Sequence, residues 1–328
     1  MVQRPASLSS AAPPLSAAAS EGLSRGDYLT ALAVVVIWGL NFVVMKVALT
    51  TLSPMMLGAL RFALASLPLL WIVPRPRVPW RFVVCYGLLQ GLGQFGLLFT
   101  ALRFGMPAGL ASTVLQAQVF FTVLLALPVL GEHARLHQWL GLLVAAGGLA
   151  LIASVHGHGP QDMTLLGFVL TVAAALSWAG SNLLTRLLGR TSGRYDPFHF
   201  IVWSSLVPVL PFLMLAVWLD GADATWRSLT GMGGRELMAV AYLSLLATLV
   251  GYSLWTRLFQ RHPAGHVAPF SMLVPVVGLW AASFFLDEHL NPSQWTGVGC
   301  VLLGLLLNQF GGVVAKAVPG AAGRRPSA

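Results

Sequence analysis

The chain has 328 residues, of which 57% are hydrophobic and 9% charged, with a formal net charge of +9. A water-soluble domain carries about a quarter charged residues, so this density cannot cover the surface in water, and the surrounding solvent must largely be lipid. The positive residues sit between long apolar runs rather than on one stripe, which points to lipid headgroups and topology and away from a nucleic-acid partner.

Residues 1–26 are rich in Ala, Ser and Pro and hold no apolar run of signal-peptide length; they are expected to form a disordered cytoplasmic tail without a cleaved signal. Ten windows of about 20 apolar residues, the length a membrane-spanning helix needs, then follow. They lie at 28–48, 54–73, 81–102, 106–130, 136–155, 164–187, 197–219, 235–259, 264–286 and 293–313. Residues 314–328 read as a second cytoplasmic tail. The expected fold is therefore an all-α integral membrane protein. Glycines such as Gly87 and Gly91 are spaced to let helices approach closely. Cys85 and Cys300 lie inside apolar runs and read as small buried hydrophobes rather than a disulfide or metal pair.

Polar side chains inside a span cost about 2.5–3.5 kcal/mol on insertion scales, so each is a candidate for function. Span one carries Trp38, Asn41 and Lys46. Asn41 either lines a cavity or bonds a neighbouring helix; Lys46 either faces the cavity or reaches the headgroups. Arg61 lies eight residues into span two, too deep to reach the headgroups easily. It either holds a substrate carboxylate or ties helices through backbone carbonyls. Gln90 and Gln94 share one helix face, and Gln116 and Gln118, two apart, cannot both face one cavity. Of these, Gln94 and Gln116 are the stronger candidates. Span six repeats span one with Ser177, Trp178, Ser181 and Asn182, and span seven adds Trp203, Ser204 and Ser205. Pro208, Pro211, Pro269 and Pro275 inside spans suit fixed or moving kinks.

None of the ten acidic residues falls in mid-span, which argues against a pump or cation carrier built on a buried carboxylate. With no HExxH, P-loop or CxxC cluster, no metal, cofactor or enzyme chemistry is expected. Lys46, if desolvated, is a candidate proton carrier, with an uncoupled facilitator as the alternative.

With the N-terminus cytoplasmic, the inside segments hold fourteen Lys and Arg and the outside ends four, namely Lys46, Arg103, Arg227 and Arg235. Both termini should then be cytoplasmic. Self-comparison at an offset of 156 matches Pro107-Ala108-Gly109 with Pro263-Ala264-Gly265, Glu132-His133 with Glu288-His289, Gln138-Trp139 with Gln294-Trp295, Gly141 with Gly297 and Gly148 with Gly304. Trp38 and Asn41 pair with Trp178 and Asn182 at 140 and 141, a longer insertion between spans seven and eight explaining the drift. The expected organisation is two repeats, 27–158 and 159–313, of five spans each. An odd number inverts the second copy, an architecture of secondary transporters with a site near the midplane.

The run Ile37-Trp38-Gly39-Leu40-Asn41-Phe42, the Arg61-Phe62 pair, Phe104 through Ser112 and Leu115-Gln116-Ala117-Gln118 resemble the EamA family of the drug/metabolite transporter superfamily. So do Gly131-Glu132, Val250-Gly251-Tyr252, Leu273 through Gly278, and Leu286-Asp287-Glu288. The combination of WGLNFVV, Lys46, GMPAGLAS and LQAQ looks like the O-acetylserine and cysteine exporters within that family. The resemblance covers about residues 27–312. It implies export of cysteine-pathway metabolites across the bacterial inner membrane by alternating access, with a small-molecule substrate and the lipid bilayer as partners. The expected substrate contacts are Trp38, Asn41, Lys46, Arg61, Gln94, Gln116, Trp178 and Asn182. A broader amino-acid or drug exporter stays open as an alternative, as does, more distantly, a lipid flippase or a membrane-embedded enzyme.

Overall fold

A computed structural model describes residues 23–157, 162–191, 195–262 and 264–317. The expected tails, from 1 to 22 and from 318 onward, lie outside the described residues, and with them Arg4, Arg324 and Arg325 of the inside charges; Arg194 also lies outside. All regular elements among the described residues are helical. In chain order they are α1 (Arg25–Ala48), α2 (Pro54–Leu69), α3 (Trp80–Arg103), α4 (Ala108–Leu130), α5 (Leu136–Ser154), α6 (Leu165–Thr191), α7 (Pro197–Asp220), α8 (Ala222–Thr230), α9 (Gly234–Phe259), α10 (His266–Leu286) and α11 (Pro292–Gly312). Nine of these are long and apolar enough to cross a membrane. The tenth expected span, α2, is shorter. Its last turn, Leu67–Leu69, tightens into a 3₁₀ turn at Pro68, so the helix measures only about 24 Å.

Local chemistry explains where the helices begin. Ser24 caps α1 by accepting from the Asp27 N–H, while Asp27 accepts from the Ser24 N–H in return. Ser53 caps α2 ahead of Pro54, and Asp196 caps α7 ahead of Pro197. The insertion between spans seven and eight is the short helix α8, whose Trp226 and Leu229 are exposed on one side while Asp223 and Arg227 supply the charge.

Large apolar side chains cover much of the outer surface, among them Trp71, Trp218, Trp280 and Phe284. Such a surface is stable only against lipid. Cys85 shares it: the thiol is exposed and Cys300 is half-buried, so the expected burial of the cysteines fails. An apolar run that faces lipid looks the same in sequence as one that faces the core.

The interior is built on small residues. A Cβ added to Gly141 would fall 2.6 Å from the Gly304 carbonyl, and one added to Gly148 would fall 2.6 Å from that of Gly297. As α5 advances α11 retreats, so the two helices pack antiparallel through glycine notches. Positions 156 apart share local geometry elsewhere too. Gly131 and Asp287 end α4 and α10 in the left-handed region, with φ of 65° and 55°. The Gln138 and Gln294 side chains accept from the N–H groups of Arg135 and Asn291. The prolines mark breaks: α7 is interrupted at Val207–Pro208, and α10 at Met272 between Pro269 and Pro275.

Candidate functional site

The middles of α3 and α9 are wound as π-helix, over Gly87–Phe95 and Tyr242–Val250. This is a rare winding that frees backbone groups from the usual i→i+4 ladder and recurs at functional sites. Side chains from across the bundle take up the carbonyls. Ser177 of α6 donates to the Leu89 carbonyl at 2.8 Å, and Trp38 of α1 donates through Nε1 to that of Ala247 at 3.1 Å. Tyr242 in turn donates to the Ile37 carbonyl at 2.8 Å.

A narrow cleft of about 20 Å³, room for about one water molecule, lies beside these segments. It is lined by Phe62 of α2, by Tyr86, Gln90 and Phe95 of α3, by Ser204 and Ser205 of α7, and by Thr248 and Tyr252 of α9. Glycines set its narrow wall. A Cβ on Gly87 would meet the Ser204 carbonyl at 2.5 Å, so α3 and α7 touch backbone to backbone there, and one on Gly91 would meet the Pro208 ring at 2.5 Å. The close approach expected of this pair is realised.

Arg61 lies directly behind the wall and is 1% exposed. Its Nε donates to Thr248 Oγ1 at 3.1 Å, Nη1 is 4.0 Å from Met45 Sδ, and Cζ lies 3.9 Å from the centre of the Phe95 ring. No carboxylate forms an ion pair with it among the described residues. Burying a cation without a counter-ion is costly, and the Phe95 ring face and one hydroxyl offset only part of that cost. The wall of the cleft on this side is therefore electropositive.

Gln90 is the hub of a neutral network on the same wall. Ser181 donates to its Oε1, and its Nε2 donates to Gln94 Oε1 and to Tyr252 Oη, the latter at 2.8 Å. Hydroxyl and amide groups of this kind can exchange partners with a zwitterionic or polar guest at little cost.

The remaining sequence candidates spread around this centre. Asn41 is buried, its Nδ2 3.7 Å from Met45 Sδ and its Oδ1 without a partner among the described residues; Met45 alone separates it from Arg61. Gln94 stands behind Gln90. Gln116 donates to the Ser271 carbonyl at 3.1 Å, at the break in α10. Asn182 donates to Gln118 Oε1 at 2.6 Å, joining α6 to α4. Trp38 packs against Tyr252 and Trp255, with ring centres 5.1 and 5.4 Å away, and Trp178 is half-buried against the main core. Lys46 neither reaches outward nor enters the cleft: its Nζ donates to the carbonyls of Leu102 and Met106 at 2.7 and 3.0 Å. Sequence reasoning passed over Tyr252, Thr248, Phe95 and Tyr86 as site residues. Tyr252 and Thr248 met the same test as Asn41, a polar tip inside an apolar span, and could have been found by it.

The EamA-like transporter family matches residues 26–154 and again 165–310. A protein of Escherichia coli K12 called "Probable amino-acid metabolite efflux pump" is 43% identical over 296 residues, covering 90% of this chain and 99% of its own. Its Salmonella typhimurium counterpart of the same name is 43% identical over 289 residues, covering 88% and 96%. A solved crystal structure superposes with a TM-score of 0.59 over 91% of this chain and 100% of its own; at 17% identity it attests the fold alone.

Proposed function

The chain belongs to the EamA-like transporter family, and on that footing we propose that it exports small polar amino-acid metabolites of the O-acetylserine and cysteine type across a bacterial inner membrane. The observation that carries this reading is Arg61: a buried guanidinium beside a cleft, held by neutral groups and lacking an acidic partner among the described residues. In this reading the cargo carboxylate pairs with Arg61, since a guanidinium can bind it through two parallel bonds. Gln90, Tyr252 and the serines of α7 then meet the ammonium group and polar tail of an amino acid. Asn41 and Gln94 stand behind this wall, while Gln116, Asn182, Trp38, Trp178 and Lys46 hold neighbouring helices around it, and in this reading they reach the cargo only as the repeats move. The names of the two relatives at 43% identity point the same way.

Transport proceeds by alternating access between two inverted five-helix repeats, residues 27–158 and 159–313, with both termini cytoplasmic. Three observations support this. The family matches the chain twice. The π segments and left-handed helix ends recur at offsets of 155 and 156. Gly141 meets Gly304 while Gly148 meets Gly297, the crossed pairing that a two-fold axis between α5 and α11 requires.

The test is efflux of labelled O-acetylserine and cysteine from loaded proteoliposomes, with alanine as competing cargo. Selective efflux of the first two is expected. Equal rates for all three, or none, would overturn the cargo assignment.

A further inference from the structure

The helix α4 starts without a cap of its own. Pro107, the residue ahead of it, has no side chain that can accept from the first free N–H groups. The acceptor comes from 180 residues away. Glu288, just past the end of α10, takes the Ala108 N–H on Oε1 at 2.7 Å and the Gly109 N–H on Oε2 at 2.9 Å. A carboxylate on two backbone donors at a helix N-terminus is a charge-assisted contact, favoured further by the helix dipole. Asp287 in the left-handed region, with φ 55°, turns Glu288 back over the bundle.

The seam between α4 and α10 beneath this contact is tightly packed. A Cβ on Gly109 would lie 3.2 Å from Ala282, and one on Gly278 would lie 2.7 Å from Ser112, so α4 and α10 close on each other along small residues. Ser112 is 1% exposed. Lys46 ties the preceding turn down through the Leu102 and Met106 carbonyls. At the other end of α4 the matching acid, Glu132, makes solvent-exposed pairs with Arg186 and Arg190, at 3.3 and 3.0 Å, among the described residues. Pairs of that kind contribute little.

We propose that Glu288 is the latch of the gate at this end of the bundle, the outward one in the orientation given above: its carboxylate leaves the N-terminus of α4 to release cargo and returns to close the path. The proposal rests on the export reading for what passes, but not on which cargo it is. Releasing the latch breaks two hydrogen bonds and no covalent bond, and it frees the first turn of α4 to part from α10 along the Gly109–Ala282 and Ser112–Gly278 seam.

The test reads the gate without any cargo. In a chain carrying Cys85→Ala and Cys300→Ala, Ser112→Cys places a near-isosteric thiol under the latch. A membrane-impermeant maleimide is then added to intact cells. Glu288→Gln keeps the side-chain shape and removes the charge, and labelling is expected to quicken about tenfold, the equivalent of losing one charge-assisted bond. Ala108→Pro gives an independent route. It deletes the donor at the first helical position, where proline fits, and Pro107 already holds the ψ of 140° that a following proline demands. The same quickening is expected there. Unchanged labelling in either variant, in protein inserted at the parent level, overturns the latch. Quickened labelling alongside unselective efflux would uphold the latch and overturn the cargo assignment alone.

Discussion

Arg61 concentrates the argument at the scale of single residues. Eight residues into an apolar helix, a guanidinium is suspect from sequence alone, because burying it costs several kcal/mol unless something meets it. The sequence could not tell that its neighbours are Thr248, Met45 and the face of Phe95, all neutral, since these come from α9, α1 and α3. If a carboxylate completes this site, Arg61→Lys keeps the charge but loses the two-pronged geometry, and kcat/KM for O-acetylserine efflux should fall at least about tenfold. Full efflux by Arg61→Gln would show that the guanidinium only ties helices. Tyr252→Phe removes one partner of the Gln90 amide, worth about 1 kcal/mol. The expected result is a KM raised about fivefold with little change in maximal rate, read from initial rates over a range of cargo concentrations. Gln94 and Gln116 were as visible in the sequence as Gln90, yet only Gln90 borders the cleft: Gln94 accepts from it and Gln116, on α4, is turned to the Ser271 carbonyl.

The helices themselves were largely legible, because about 20 apolar residues in a row admit few alternatives in lipid. Their irregularities were less so. Pro208 and Pro269 announced the breaks in α7 and α10, since proline removes a donor wherever it falls. Nothing in the runs Gly87–Phe95 and Tyr242–Val250 announced a π-helix; their freed carbonyls meet partners on other helices, Leu89 on Ser177 and Ala247 on Trp38. The glycines carry a prediction at this scale. Gly148→Ala forces a Cβ to within 2.6 Å of the Gly297 carbonyl, so α5 and α11 must part. The cost expected is about 1–3 kcal/mol, seen as a lower Tm of the detergent-solubilised protein. Gly147→Ala, whose added Cβ meets nothing within 4 Å, should leave the Tm at or slightly above that of the parent. Equal losses at both positions would assign the effect to helix backbone rather than to packing.

Orientation and repeat belong to the whole molecule. The excess of Lys and Arg between alternate spans is the basis for the proposal that both ends of the chain are cytoplasmic. A green fluorescent protein fused after Ala328 should therefore glow, and alkaline phosphatase at the same place should stay inactive; the reverse pattern would turn the molecule over and move the Glu288 latch to the inside. The proposed inverted repeat was visible in sequence as matches 156 apart. In the structure the same offset relates Gly131 to Asp287 and the capping glutamines Gln138 and Gln294. The Glu288 and Glu132 pair departs from it: one is set on backbone donors, the other on exposed arginines. A difference between equivalent positions is what a transporter caught with one end closed would show.

What the sequence determined by itself was the solvent, the number and approximate limits of the apolar helices and the short set of polar groups among them. Each of these follows from transfer energies that act residue by residue along the chain. The tertiary structure alone decided which polar groups meet. Arg61 finds Thr248 187 positions away, Gln90 finds Tyr252 162 positions away, and Glu288 finds Ala108 180 positions away. Those meetings depend on how closely glycine-notched helices approach and on how far two of them are unwound, neither of which is a property of any one stretch of sequence.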